Sequence, residues 1–238
     1  MTTYSRELET VLRKYIDSWK GKGRDRLREL LKNESVDARR ELLMNVKEGV
    51  FGTWTGLHGV TYADDLETIK YMFNNFSANQ KCDVVKIQDY AKYTALHTAA
   101  ELGHTSIMNY LLSNLSQQQK YDLLKIQTRF GDTPLHIAAD NKKGKTVQVI
   151  ISSVSSPLLI QLLNIKNNKG QTVADIRREV HDEVLVLISQ GMMAIYFTKL
   201  PIQIVKYIIS ITAIICLHVC IVIFVHQKIL IVTHGIIN

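Results

Sequence analysis

The sequence predicts an all-α fold, a solenoid of stacked helix pairs joined by hairpin-like loops. Four threonines, Thr55, Thr94, Thr133 and Thr172, lie 39 residues apart and carry similar neighbours. Apolar residues recur at helical spacing after the central copies, as expected for amphipathic helices. Units of this size cannot bury their apolar faces alone, so they must stack in a row.

Residues 1–49 are expected to form an amino-terminal helical cap. Leu8, Leu12 and Tyr15 belong to one run of apolar residues at helical spacing, and Leu27 and Leu31 belong to a second. Such a pair would cover the open apolar end of the solenoid, which would otherwise invite aggregation. A separate adaptor helix pair is the alternative interpretation.

The two central copies carry the strongest match. Thr94–Ala100 reads TALHTAA, and Thr133–Ala139 reads TPLHIAA. The motif positions are Thr94, Leu96, His97, Ala99, Ala100 and Gly103 in one copy and Thr133, Pro134, Leu135, His136, Ala138 and Ala139 in the next. Threonine suits a helix N-cap, proline suits the first helical position, and paired alanines let two helices approach closely. Gly103 is expected to end its helix.

This motif resembles the ankyrin repeat, and the resemblance covers residues 50–190, or about four units. It implies L-shaped units stacked into a curved solenoid, whose hairpin tips and inner helices form a concave protein-binding surface. It also implies that His58, His97 and His136 bond to backbone groups and tie adjacent units together. A structural role for these histidines is therefore preferred to a catalytic one.

The repeat is longer than the usual ankyrin unit of about 33 residues. Ser77-x-x-Gln80 and Ser116-x-x-Gln119 are capping-box sequences, and each precedes a pair of apolar residues. The sequence therefore predicts a short third helix in each unit. An extended loop is the alternative.

The carboxy-terminal segment predicts a membrane anchor. Residues 207–225 form a run of 19 without a charge, which as a helix would span about 28 Å, close to the thickness of a bilayer core. Residues 191–206 would be a juxtamembrane linker and residues 226–238 a short tail. Lys199 and Lys206 precede the run and only Lys228 follows it, so the array is expected to face the cytosol.

Two alternatives to the anchor remain open. The run is rich in isoleucine and valine, which also suits a segment packed on the solenoid. Composition also changes abruptly after about residue 192, and the second alternative is that the tail is not expressed. The target organelle is not predicted.

Composition favours lipid over nucleic acid as the partner of the basic residues. The formal charge is +7, but acidic and basic residues are interspersed as far as residue 183, and three lysines flank the apolar run. No phosphate-binding loop, nucleophile constellation or metal-ligand spacing occurs. The sequence therefore predicts no enzymatic activity, cofactor, metal or small-molecule substrate.

The function predicted is a protein–protein interaction scaffold, tethered to a membrane and binding a protein partner through its ankyrin surface. The strongest candidate contacts are Tyr90, Tyr93, Arg129 and Phe130. Further candidates are Asp89, Lys92, Asp132, Glu101, His104, Asp140 and Asn141. Packing of Phe130 and Tyr93 between units is the alternative interpretation. Alternatives for the whole chain are an accessory or truncated relative of an ankyrin-containing membrane channel or acyltransferase, or a soluble adaptor such as a ubiquitin-ligase substrate receptor.

Overall fold

The computed structural model describes residues 6–17, 23–44, 47–49 and 52–176. Within these residues the chain is helical except for loops and one short hairpin, in which β1 (Lys47–Gly49) pairs antiparallel with β2 (Gly52–Trp54). In chain order the helices are α1 (Arg6–Asp17), α2 (Arg24–Asn33), α3 (Val36–Met44), α4 (Gly56–Tyr62), α5 (Leu66–Met72), α6 (Ala78–Val85), α7 (Ala95–Leu102), α8 (Thr105–Leu112), α9 (Gln117–Leu124), α10 (Pro134–Asp140), α11 (Gly144–Ser153) and α12 (Ser156–Leu163).

The described helices form four consecutive units of three, which we number 1 to 4 from the amino terminus. Corresponding helices of neighbouring units pack on each other, which produces three parallel rows. The first row contains α1, α4, α7 and α10, the second α2, α5, α8 and α11, and the third α3, α6, α9 and α12. The predicted helical solenoid is confirmed.

The first row supplies much of the core between units. Leu96 and Ala99 on α7, and Leu135 and Ala138 on α10, are all fully buried. Small alanines allow these two helices to approach closely, and each buried leucine stabilises the stack by about 1.5–3 kcal/mol. The leucine and alanine positions of the repeat therefore form the contact between units that the sequence predicts.

The helix ends follow the motif. Thr133 begins α10, where its Oγ1 accepts a hydrogen bond from the His136 N–H, and Pro134 occupies the first turn. Gly103 ends α7 with a φ of 83°, a left-handed conformation in which glycine carries no steric penalty. Both predicted roles are confirmed.

A third helix is present in each described unit, so the extended-loop alternative is wrong. Ser77 Oγ accepts from the Gln80 N–H at 3.3 Å, and the Gln80 side chain accepts from the Ser77 N–H at 2.9 Å. Ser116 and Gln119 form the same reciprocal capping box at the start of α9. This arrangement satisfies donors that a bare helix start would leave unpaired.

The amino-terminal segment repeats the order of the later units. α1 packs on α4, α2 on α5 and α3 on α6, so the first two helices are joined by a third and complete a unit. Leu8, Leu12, Tyr15, Leu27 and Leu31 are buried in it. The predicted cap is therefore itself a three-helix unit.

Asp65 attaches this first unit to the second. Its buried carboxylate accepts hydrogen bonds from Tyr15 Oη at 3.0 Å and from Arg28 Nη2, and it forms an ion pair with Arg24. Thr68 donates to it through both its N–H and its hydroxyl. Burial alone would raise the pKa of Asp65, but the hydrogen bonds from Thr68, Arg28 and Tyr15 outweigh burial and hold the pKa below its usual value.

The predicted anchor lies outside the described residues. This applies to the linker 191–206, the apolar run 207–225 and the tail 226–238, and also to the array beyond residue 176. In the part of the chain that the structure describes, none of the helices combines the length and the apolar character that a membrane span requires.

Candidate interaction surface

Three loops, here called tips, follow the third helices of units 2, 3 and 4: tip 1 is residues 87–94, tip 2 is 126–133 and tip 3 is 165–172. A backbone hydrogen bond closes each tip, from an N–H to the carbonyl four residues later. These bonds run from Asp89 to Tyr93, from Thr128 to Asp132 and from Asn167 to Gln171, at 2.8–2.9 Å. The closed loops give the three tips a common conformation.

The tips are also bonded to one another. The Arg129 N–H donates to the Ala91 carbonyl, and the Asn168 N–H donates to the Phe130 carbonyl, each at 3.0 Å. Gln88 of tip 1 donates its side-chain amide to the Gln127 carbonyl of tip 2 at 3.0 Å. Gln127 in turn donates to the Lys166 carbonyl of tip 3 at 2.9 Å. This ladder of hydrogen bonds between tips fixes the spacing and orientation of the side chains that the tips display.

Two large hydrophobic side chains stand out from this ladder. Tyr90 is 67% exposed and Phe130 is 64% exposed. The guanidinium of Arg129 lies 4.2 Å from the centre of the Tyr90 ring, and its Nη2 donates to the Tyr90 carbonyl at 3.0 Å. A hydrogen bond and the charge of Arg129 lower the pKa of the Tyr90 hydroxyl. Because the Phe130 side chain is largely exposed, it does not pack between units.

Tyr93 lies deeper than the other tip aromatics. Its ring is half-buried and lies 5.5 Å from the ring of His97. Burial raises the pKa of its hydroxyl to about 12, and the carboxylates of Glu101, Asp132, Asp89 and Asp140 add to the effect. Tyr93 therefore packs on the first row of helices while its hydroxyl lies in a negative field.

The remaining candidates divide between tips and helix turns. Asp89 accepts from the Tyr93 N–H within tip 1, and Lys92 is exposed at the turn of that tip. Asn141 is exposed at the end of α10, and its side chain donates to the Ile137 carbonyl. His104 begins α8, with Nδ1 3.3 Å from a carboxylate oxygen of Asp64.

A groove of about 690 Å³ joins tips 2 and 3 to the ends of the first-row helices. The described residues that line it are Tyr93, Glu101, Asp132, His136, Ile137, Asp140, Asn141, Asn167, Lys169, Gln171, Asp175 and Ile176. Five of the eleven candidate contacts, Tyr93, Glu101, Asp132, Asp140 and Asn141, thus share one concave site. The other six, Tyr90, Arg129, Phe130, Asp89, Lys92 and His104, are not among the described residues that line the groove.

The repeated histidines connect units, as the family resemblance implies. His97 is fully buried, and its Nδ1 accepts from the Thr94 N–H at 3.0 Å. Its Nε2 therefore carries the proton and donates to the carbonyls of Ile126 and Asp132, at 3.1 and 3.2 Å. Burial lowers the pKa of His97 to about 3, so the ring stays neutral.

The neighbouring histidines repeat this bridge. The ring of His58 lies 2.9 Å from the Tyr93 carbonyl, and that of His136 lies 3.3 Å from the Gln171 carbonyl. Both are buried, and burial lowers the pKa of each. Across residues 6–17, 23–44, 47–49 and 52–176, histidine, cysteine and carboxylate groups do not converge in threes as a metal site would require.

Sequence reasoning missed the glutamine ladder and the contribution of Asn168. Gln88 and Gln127 occupy equivalent positions 39 residues apart, so the repeat did contain an indication of a shared role. Asn168 donates its side-chain amide to the Arg129 carbonyl at 2.9 Å and holds the base of the exposed tip 2. These residues hold neighbouring tips together through bonds to backbone carbonyls.

The comparison with protein families agrees with this architecture. The model for ankyrin repeats, in three copies, matches residues 20–122 and 57–160. A search of curated proteins gave no match. The matched residues amount to more than half of the chain, and they include helices α2 to α11, tips 1 and 2 and the three motif histidines. The chain belongs to the ankyrin-repeat family.

Proposed function

We propose that this chain is a non-enzymatic scaffold that binds a protein partner through its tips and the adjoining groove. The exposure of Tyr90 and Phe130 on tips 1 and 2 carries the proposal. Folded monomers bury most large aromatic side chains, and exposed aromatic and arginine residues dominate the binding energy of protein interfaces.

The rigidity of the tips supports the same function. Arg129 is already held against the Tyr90 ring, and backbone bonds join each tip to the next. Ordering side chains on binding costs about 0.5–1.5 kcal/mol for each flexible residue. A surface whose anchors are fixed before the encounter avoids much of this cost.

We further propose that residues 207–225 tether the scaffold to a bilayer, with the array on the cytosolic side. The support comes from the sequence: a run of 19 residues without a charge, preceded by Lys199 and Lys206. A tether would confine the captured partner to one membrane and raise its local concentration there.

The binding surface is tested by affinity capture with Tyr90→Ala, Arg129→Ala and Phe130→Ala, followed by quantitative mass spectrometry. We expect each variant to lose the proteins that the unaltered chain recovers, while the melting temperature stays unchanged because these side chains are exposed. Met44→Ala is the matched control, since Met44 is also an exposed large hydrophobic residue but lies on α3, outside the tips. Equal losses in Met44→Ala would contradict the proposed surface.

The tether is tested by fractionation. Full-length protein is expected to float with membranes and to stay with them after alkaline carbonate extraction, whereas a version ending at Gln190 is expected to remain in the supernatant. Release of the full-length chain by carbonate would show that residues 207–225 do not cross the bilayer.

A further inference from the structure

The groove between tips 2 and 3 carries an excess of negative charge. Among the described residues that line it, four are carboxylates, Glu101, Asp132, Asp140 and Asp175, and one, Lys169, is a cation. Glu101 and Asp140 are exposed and occupy equivalent positions at the ends of α7 and α10, 39 residues apart. The negative charge is therefore repeated from unit to unit along the groove.

Glu101 and Asp140 differ from the acidic residues on several other helices. Glu67, Asp83 and Asp122 each form an ion pair with a lysine three residues later, at 2.6–2.7 Å, so their charge is cancelled locally. Within the part of the chain that the structure describes, neither Glu101 nor Asp140 makes an ion pair. Like charges in a concave site strengthen the local potential, because the protein walls exclude water.

The carboxylates of the groove also affect the hydroxyl of Tyr93. After burial, the largest contributions that raise the pKa of Tyr93 come from Glu101 and Asp132. This effect shows that carboxylates from different units act on the same point of the groove.

The spacing of the carboxylates selects the kind of ligand. They do not gather around a single point in the described region, as a metal ion would require. They are distributed along the groove on α7, tip 2, α10 and the segment that follows tip 3, so they match several cations held along an extended chain. Nucleic acid would be repelled by the same charges.

An exposed aromatic side chain lies on the same tip as one of these carboxylates. Phe130, on tip 2, is 64% exposed and precedes Asp132, which lines the groove, by two residues. A bound segment could thus place a lysine or arginine beside Glu101 and Asp140 while an apolar residue contacts the Phe130 ring. Complementary charge and an aromatic anchor are the usual combination in specific protein interfaces.

We propose that the groove lined by Glu101, Asp132, Asp140 and Asp175 binds an extended polypeptide segment that carries lysine or arginine side chains. The proposal rests on the proposed function, since it specifies the partner of the same surface. It predicts binding that weakens as salt concentration rises, because exposed ion pairs are screened.

The test uses a random-sequence peptide library displayed on phage and selected on immobilised full-length protein. Parallel selections use the double variant Glu101→Gln/Asp140→Asn, the control Glu67→Gln/Asp122→Asn and the tip variant Phe130→Ala. The control removes the same number of charges from α5 and α9, which do not line the groove. Melting temperatures verify that all variants are folded.

We expect peptides selected on the unaltered protein and on the control to be enriched in lysine and arginine relative to the input library. The enrichment should disappear with the groove variant. A synthetic peptide from the first selection should bind the groove variant about fivefold more weakly in fluorescence anisotropy, the loss expected for two exposed ion pairs.

The other outcomes separate this proposal from the general one. Peptides that require Phe130 but show no enrichment in basic residues would overturn the basic-segment proposal and leave the scaffold function intact. Basic enrichment that survives in the groove variant would also overturn it, since the charge would then act elsewhere. Failure to select any peptide that depends on the groove or on Phe130 would count against both proposals.

Discussion

Lys81 of unit 2 is bonded to Ser113, which follows the second helix of unit 3. Lys81 Nζ donates to the Ser113 carbonyl at 3.0 Å and also to the Tyr110 carbonyl, and it lies 4.6 Å from the centre of the Tyr110 ring. One unit earlier, Arg39 donates to the carbonyls of Tyr71 and Asn74. In both cases a cation on a third helix donates to carbonyls at the end of α8 or α5, where the helix dipole favours positive charge.

Lys81→Met is therefore expected to destabilise the protein by about 2 kcal/mol, because buried carbonyls lose a charged donor. The free energy of unfolding in urea measures this loss. Lys86→Met is the matched control: Lys86 lies at the end of the same helix, but it is exposed and its ion pair in the described part of the chain is with Asp83. Equal losses in the two variants would contradict the capping role.

Gly131→Ala is expected to be much more destabilising than Gly170→Ala. Both glycines have a positive φ, 81° and 76°, so alanine carries about 1 kcal/mol of backbone strain at either position. A Cβ at Gly131 would lie 2.6 Å from the Asn168 backbone nitrogen, whereas one at Gly170 would meet nothing within 4 Å. Overpacking should add about 2 kcal/mol at Gly131 alone.

The difference between the two melting temperatures isolates this steric contribution, since the φ penalty is common to both variants. It also tests the ladder, because Asn168 is the residue that tip 3 places against tip 2. Melting temperatures that fall by the same amount would show that the tips are not in contact at this point.

Acid is expected to destabilise the stack through His97. The unfolded ring titrates near pH 6.5, whereas burial lowers its pKa in the folded state to about 3. Between these values the unfolded chain binds more protons, so stability declines as the pH falls from about 6.5 towards 3. The expected slope is about 1.4 kcal/mol per pH unit for this residue.

His97→Gln tests the assignment. Glutamine at this third helical position can still accept a hydrogen bond from the Thr94 N–H, as Gln80 and Gln119 do from their serines. We expect lower stability at neutral pH but a shallower decline in acid, measured by urea unfolding at a series of pH values. An unchanged slope would mean that other groups account for the acid sensitivity.

Asp65→Asn is expected to weaken the packing of the first unit on the second. The substitution keeps the size of the side chain but removes the charge that Arg24 and Arg28 share, and breaking such a buried pair costs about 3 kcal/mol. The substitution should speed up hydrogen exchange of backbone amides in α1 and α2 and leave exchange in α10 unchanged. Asp64→Asn, at the exposed neighbouring position, should leave exchange unchanged.

The repeat and its local motifs predicted most of the fold because each helix start is defined by residues only a few positions apart in sequence. A serine and a glutamine three residues apart suffice to define the start of a third helix, as at Ser77 and Gln80. The bonds from the motif histidines to backbone carbonyls were implied by the family resemblance and are present. Periodicity therefore predicted the elements and their stacking.

Contacts that break the period were not predicted. Arg39 and Lys81 perform the same task but lie 42 residues apart instead of 39, so alignment by the repeat does not pair them. The left-handed position after the first helix is occupied by Asp64, Gly103 and Lys142, and only the glycine suggested this conformation in advance. The groove likewise depends on side chains from two units and tip 3, which only the folded stack brings together.

The backbone bonds from Arg129 to Ala91 and from Asn168 to Phe130 hold the row of tips at a fixed spacing. Each step along it is set by main-chain geometry and not by the identity of the displayed side chains. A ligand that touches two neighbouring tips must therefore carry its own anchors at the same interval. Substitutions on the tips can change which residues are recognised, but they leave the distance between recognised residues the same.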